Sequence, residues 1–322
     1  MAQFFLVDTF SPVHLNGSAA GVVLIDKSIP ADKNLKQALA SEINQAATAF
    51  PSPVDTDDFQ TAKKFNLQWF TPTTELSACG NGTLAAAHVL SNNIRNPNEE
   101  FEFSTHFGAI KAHVAKHELV KIAMPSVKIY SLNSNKQALT DKLEQLEDPS
   151  GVGSKVAQAL IPSNVNVSQL VYSPQLKYLL IALDQQTTHE QFVSINPSKD
   201  KLLAIDPNGD VMKAVIVTFH FIPNEQTAVK SFLALTTQPD YVLRVFEPWS
   251  GVDEDIATGS AQCVAAPFWS AVYNRTENLR AHQYSPRRSA EFRIDSVSQH
   301  AVEMSGHALT TLSGIISDRC FK

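Results

Sequence analysis

Cysteine is scarce in this chain: there are three in 322 residues, Cys79, Cys263 and Cys320, with no CxxC spacing. An odd, sparse set excludes a disulfide scaffold and a zinc ribbon, and it fits a reducing cytosol. No run approaches the roughly 20 apolar residues that a membrane-spanning helix needs. The opening MAQFFLVDTF has neither a basic segment nor a long apolar one, so no secretory signal is expected there. Positive charge is never concentrated. The densest spot is the pair Arg287–Arg288, expected in a solvated loop, and the net charge is −6. Nucleic acid is therefore not an expected partner. Metal-ligand spacing is lacking too. Ten histidines are scattered, and only His113 and His117 share an i,i+4 relation, in a strand-like stretch that suits a surface pair. Neither GxGxxG nor GxxxxGK[ST] occurs. These absences lead to the expectation of no metal and no tightly bound organic cofactor.

What is present is an ordinary globular mixture, 43% hydrophobic and 18% charged, at a length more comfortable for two lobes than for one core. Apolar runs at 3–8 and 20–25 predict strands. Leu35, Ala38, Leu39 and Ile43 recur at helical spacing and predict a helix over about 31–44. A strand is predicted over 66–71, and three alternating runs, 100–105, 108–115 and 118–124, predict a meander. Pro125 and Ser126 mark the expected lobe boundary: residues 1–125 form one lobe, 126–312 the other, and about 313–322 return to the first. Beyond the boundary a polar helix is expected over 136–147 and a loop over 148–154. Strands are expected at 168–173, 177–183, 213–219 and 230–236, and short closing strands at 290–295, 300–304 and 309–316.

Two segments pass from a glycine loop into an alanine-rich helix: CGNGTLAAAHVL from Cys79, and ATGSAQCVAAPFW from Ala257. With Glu75 set against Glu254, Gly80 falls on Gly259, Ala86 on Ala265 and Ala87 on Ala266, which suggests an internal duplication. Central helices are expected over about 80–91 and 259–271. The first N–H groups of a helix have no internal acceptor, and the helix dipole places partial positive charge there. Glycine lets a ligand approach them closely. Two such ends, Cys79–Thr83 and Thr258–Gln262, could face one another, hold a carboxylate and stabilise developing negative charge. On spacing alone, a pair of tight turns packing helices against strands explains them equally well. Asp255 precedes the second element and could be a base or merely an N-cap. As a group beside a helix N-terminus, it is expected to remain ionised. Cys79 could be a thiolate at a helix end or a small buried apolar residue. His88, two turns into its helix, is expected to be structural.

The chain resembles the PhzF-like family of phenazine-biosynthesis proteins over essentially its whole length. The resemblance rests on VDTFSPVHLNGSAAGVVL (7–24), LASEINQAATAF (39–50), QWFTPTTELSACGNGTLAAAHVL (68–90) and RVFEPWSGVDEDIATGSAQCVAAPFW (244–269). It implies an α+β fold of the diaminopimelate-epimerase type, with two pseudo-symmetric lobes. Each would be a barrel-like mixed sheet around a central helix, with the active site between them. It also implies cofactor-independent proton movement and, in many members, a homodimer. The family's proton-transferring glutamate falls on Ala47 and its histidine on Asn81. The usual Gly-Asn-Pro appears as Gly17-Ser18-Ala19, and a late glycine pair as Ser289-Ala290. Gly80, Asp255, Gly259 and Ser260 are retained.

The resulting expectation is a cytoplasmic isomerase-, epimerase- or cyclase-type enzyme acting on a small, carboxylate-bearing metabolite. Asp255 and Asn81 are its expected catalytic residues. Cys79, Gly80, Gly82, Thr258, Gly259, Ser260 and Ala47 are expected to contact substrate. The alternative is a catalytically degenerate relative that retains the pocket as a binding protein.

Overall fold

A computed structural model describes residues 2–106, 108–115, 119–132, 138–221, 238–286 and 288–321. The first half runs β1 (Ala2–Thr9), β2 (Ser18–Ile25), α1 (Lys33–Ile43), β3 (Ala47–Pro53), β4 (Lys64–Phe70), β5 (Glu75–Leu76), α2 (Gly80–His88), β6 (Glu100–Thr105), β7 (Gly108–Val114) and β8 (Leu119–Pro125). The second runs β9 (Tyr130–Leu132), β10 (Gln145–Leu146), α3 (Val152–Leu160), β11 (Val167–Ser173), β12 (Tyr178–Leu183), α4 (His189–Ser194), α5 (Lys199–Ile205), β13 (Ala214–His220), β14 (Tyr241–Glu247), β15 (Val252–Asp255), α6 (Gly259–Tyr273), β16 (Glu277–Tyr284), β17 (Ser289–Val297) and β18 (Ala301–Ile316). The fold is α+β.

The pairing exposes an internal repeat. Strands β1-β2-β3-β4-β6-β7-β8 follow one another with the senses antiparallel, parallel, antiparallel, parallel, antiparallel, antiparallel. Strands β11-β12-β13-β14-β16-β17-β18 repeat the same series of senses. In each half a short strand folds back on the fourth of these, β5 on β4 and β15 on β14, and leads into the glycine helix. β18 pairs with β8 on one side and β1 on the other, closing the first half into an eight-strand barrel. Both interior helices are apolar nearly all round: every residue of α2 is buried, and α6 is buried from Gly259 to Ala266. A helix of that kind needs an enclosing shell. α2 packs against β1, β2, β3, β7, β8 and β18, and α6 against β12, β13, β16, β17 and β18.

Amphipathic helices cover the outer faces. α1 is capped by Asp32, whose carboxylate accepts from the Leu35 amide at 2.8 Å. It lays Leu39 and Ala40 on Val23, Phe50 and Phe70. α3, α4 and α5 bury Val156, Leu160, Phe192 and Leu202 in a cluster with strands of the second half.

Of the expected helix over 136–147, the described residues 138–147 are not helical. Residues 133–137 lie outside the described set, and residues 138–144 are irregular as far as β10. The helix instead begins at Val152, inside the stretch expected as a loop. Asp148 draws it there: its carboxylate accepts from the Gly153 and Ser154 amides, both at 2.8 Å, satisfying orphan first-turn donors. β18 is one long strand rather than two. The expected strand over 230–236 lies outside the described residues, as do His117 and Arg287. Arg288 is not simply solvated, since it meets the buried Asp8 at 3.2 Å.

Candidate active site

The two glycine helices meet end to end. A Cβ on Gly80 would lie 2.7 Å from the Gly259 Cα, and one on Gly259 would lie 2.7 Å from the Gly80 Cα. Only hydrogen fits at either position, so the glycines set how closely the N-termini approach. Beside this contact lies a cavity of about 260 Å³, walled by residues from both halves. Eight of the nine residues singled out from sequence border it: Ala47, Cys79, Gly80, Asn81, Asp255, Thr258, Gly259 and Ser260. Gly82 does not. Its Cα faces the Trp69 ring, which a Cβ would approach to 2.6 Å, and its amide donates to the Cys79 sulfur at 3.2 Å.

The side chains differ in what they are free to do. Asn81 is only 3% exposed and is tied into the scaffold. Its Oδ1 accepts from the Thr9 hydroxyl and its Nδ2 donates to Ser18, both at 2.8 Å. Cys79 caps α2 with its sulfur. Burial pushes its thiol up to about 12, against the pull of the Gly82 amide, and the nearby Asp255 and Glu247 carboxyls add to the rise. Burial thereby favours the neutral thiol over the thiolate. His88 is buried between Asn92, at 2.8 Å, and Thr310, at 3.0 Å, and burial lowers its pKa to about 4, as suits a structural group.

Asp255 closes β15 and is half-buried at the cavity wall. One carboxylate oxygen accepts from the Thr258 hydroxyl at 2.6 Å and the other from the Ile256 amide at 2.8 Å. Burial raises its pKa, and the hydrogen bonds from Thr258, Ile256 and Ala257 offset this only in part. The loss of solvation outweighs the local donors in setting the direction of this shift, while those donors still favour the ionised form. Gln283, on β16, was not anticipated. Its Oε1 accepts from the Thr258 amide at 2.8 Å, and its Nε2 donates to the Asp255 carbonyl at 2.8 Å and the Thr258 hydroxyl at 3.1 Å. It thereby orients the hydroxyl that holds Asp255. Tyr178 and Ser260 share a hydrogen bond of 3.1 Å on another wall. Lys213, Glu75 and Glu247 also border the cavity.

The acidic run Asp253-Glu254-Asp255 is thus split three ways. Asp253 is exposed and pairs with Lys199 at 3.1 Å. Glu254 takes both ends of the buried Arg244 guanidinium, at 2.7 and 3.0 Å. Only Asp255 enters the cavity.

The phenazine biosynthesis-like protein family (PhzC-PhzF) matches residues 7–314. This chain belongs to that family. A phenazine biosynthesis-like domain-containing protein of Mus musculus is 31% identical over 314 residues, covering 97% of this chain and 98% of the relative. A Pseudomonas aeruginosa protein named an uncharacterized isomerase is 29% identical over 98% of both chains. Among solved structures, a PhzC/PhzF protein from Clostridium difficile superposes with a TM-score of 0.71 at 23% identity, over 98% of this chain and all of that one. That likeness speaks for the fold. Among the described residues of this family member, no helix is long and apolar enough to cross a membrane, and no three His, Cys, Asp or Glu side chains are grouped to hold a metal ion.

Proposed function

We propose that this PhzF-like protein is a cofactor-independent isomerase, of epimerase or cyclase type, acting on a small carboxylate-bearing metabolite in the cavity between the two helix ends. One observation carries the reading: the Asp255 carboxyl and the N-termini of α2 and α6 converge on the same cavity. The first-turn N–H groups of Gly80, Asn81, Gly259 and Ser260 suit an anion, and Lys213 adds a cation at the wall. Asp255 takes a proton from the carbon acid while those donors stabilise the negative charge that develops. A relative that bears the name isomerase agrees with this chemistry. A cytoplasmic homodimer belongs to the same reading.

A mass-spectrometric screen of metabolites against wild type and Asp255→Asn tests it. The two should capture the same small carboxylate, and Asp255→Asn should turn it over about 10²-fold or more slowly than wild type. Equal turnover would leave the helix ends alone as the apparatus and favour an orientation-only cyclase. The second reading, a binding protein, draws on Ala47. By resemblance this is the position of the family's proton-transferring glutamate, and a methyl group lines the cavity there. A ligand that wild type captures and returns unchanged would favour it.

A further inference from the structure

We propose that Glu247 is the second proton carrier of this cavity, acting as the acid partner of Asp255. The inference rests on the isomerase reading and adds a second titrating group to it.

The strand pattern explains why this glutamate points inward. Along β14, Tyr241, Leu243 and Val245 belong to the main core, whereas Val242 and Phe246 belong to the cluster under the outer helices. Glu247 continues the inward row and reaches the cavity where the strand ends. An apolar residue would extend that row without cost. The carboxyl is instead 8% exposed, and its Oε1 has no hydrogen-bond partner. Buried, unpartnered carboxyls are rare because desolvation is not repaid, and they concentrate at functional sites. Among the described residues, no Lys or Arg forms an ion pair with it. Arg244 is committed to Glu254, and Lys213 Nζ donates to the Asn208 carbonyl at 3.4 Å.

The groups that sense its charge are Asp255, Cys79 and Tyr178, all neutral or acidic. Burial raises the Glu247 pKa well above the ordinary range, and repulsion from Asp255 raises it further. Two carboxyls in one cavity then share one negative charge. The donors decide where it rests. Asp255 accepts from Thr258 and Ile256, whereas Oε1 of Glu247 accepts from nothing, so Asp255 carries the charge and Glu247 the proton.

This arrangement suits a proton shift within one substrate. Asp255 removes a proton from one carbon, and the C–H electron pair becomes a new double bond. The former π pair then takes the Glu247 proton at a second carbon. The substrate is isomerised without oxidant or reductant. Asp255 is left protonated and Glu247 ionised, and exchange with water restores the pair.

The test is deuterium uptake from D₂O into a defined mixture of β,γ-unsaturated, 2-amino and 2-hydroxy carboxylic acids, read by proton NMR. Wild type should deuterate at least one acid. Glu247→Gln keeps the shape and the hydrogen-bond donor but cannot give up a proton. It should bind that acid within about twofold of wild type and deuterate it about 10²-fold more slowly, and Glu247→Asp should recover part of the rate. Deuteration by Glu247→Gln at the wild-type rate, with Asp255→Asn inactive, would overturn the role of Glu247 and leave the isomerase reading standing. A wild type that deuterates none of the acids would overturn both.

Discussion

At the first helix end, sulfur and amide side chains are spent on the scaffold. Cys79 caps α2, and Asn81 is tied to Thr9 and Ser18. At the second end, carboxyl chemistry faces the cavity: Asp255 is held by Thr258, Thr258 is oriented by Gln283, and Glu247 stands nearby with its Oε1 unpartnered. The backbones repeat and the side chains do not. In β4 the inward row of Phe65, Leu67 and Trp69 is followed by Thr71, whose hydroxyl accepts from the Thr73 amide at 3.2 Å and the Thr74 amide at 3.0 Å within its own turn. In β14 the corresponding row ends on a buried acid. One half therefore supplies a rigid donor end, and the other supplies donors together with proton chemistry.

The sharpest way to break this comparison is at the contact that both halves share. Gly259→Val places a Cβ against the Gly80 backbone, which has no rotamer to adjust. Overpacking costs about 1–3 kcal/mol, and occasionally more. Thermal unfolding should show a large loss of stability, while Gly314→Ala, in open space, should be silent. Wild-type stability in Gly259→Val would mean that the helix ends do not abut.

A smaller effect is expected at Gln283, which serves only the second end. Gln283→Leu leaves the Thr258 amide and the Asp255 carbonyl without partners, at about 1–3 kcal/mol. It should also free the Thr258 hydroxyl, so that Asp255 accepts a weaker hydrogen bond and its pKa rises further. The activity profile should move to higher pH while substrate binding changes little. A stability loss with an unmoved profile would make Gln283 a packing residue and nothing more.

The local signals were strong where one element decided the outcome. Glycines ahead of alanine-rich runs located α2 and α6, and the Glu75–Glu254 alignment hinted at the repeat that the strand pairings display. The sequence misled where a local pattern lost to a cap, as at Asp148, or where prolines masked a strand. Pro51 and Pro53 sit within β3, which no strand expectation covered. Glu247 and Gln283 were invisible for a different reason. Each is one polar residue at or near the end of an apolar strand, and only the closing of the sheet brings both to Asp255 and Thr258. Asp255 itself was legible, but the upward shift of its pKa was not, because burial depends on walls contributed by the other half.

The central claim is that the second half carries two carboxyls sharing one proton. For groups with raised pKa values, the stabilising proton is fully present below the ordinary carboxyl range and is lost as pH rises through the folded values. Carbon-13 NMR of labelled aspartate and glutamate side chains, assigned with Asp255→Asn and Glu247→Gln, follows both groups as pH is raised. The account predicts that Asp255 releases its proton first, that Glu247 titrates well above the ordinary glutamate range, and that the Glu247 titration moves downward in Asp255→Asn. A Glu247 carboxyl titrating in the ordinary glutamate range, and indifferent to Asp255→Asn, would contradict it.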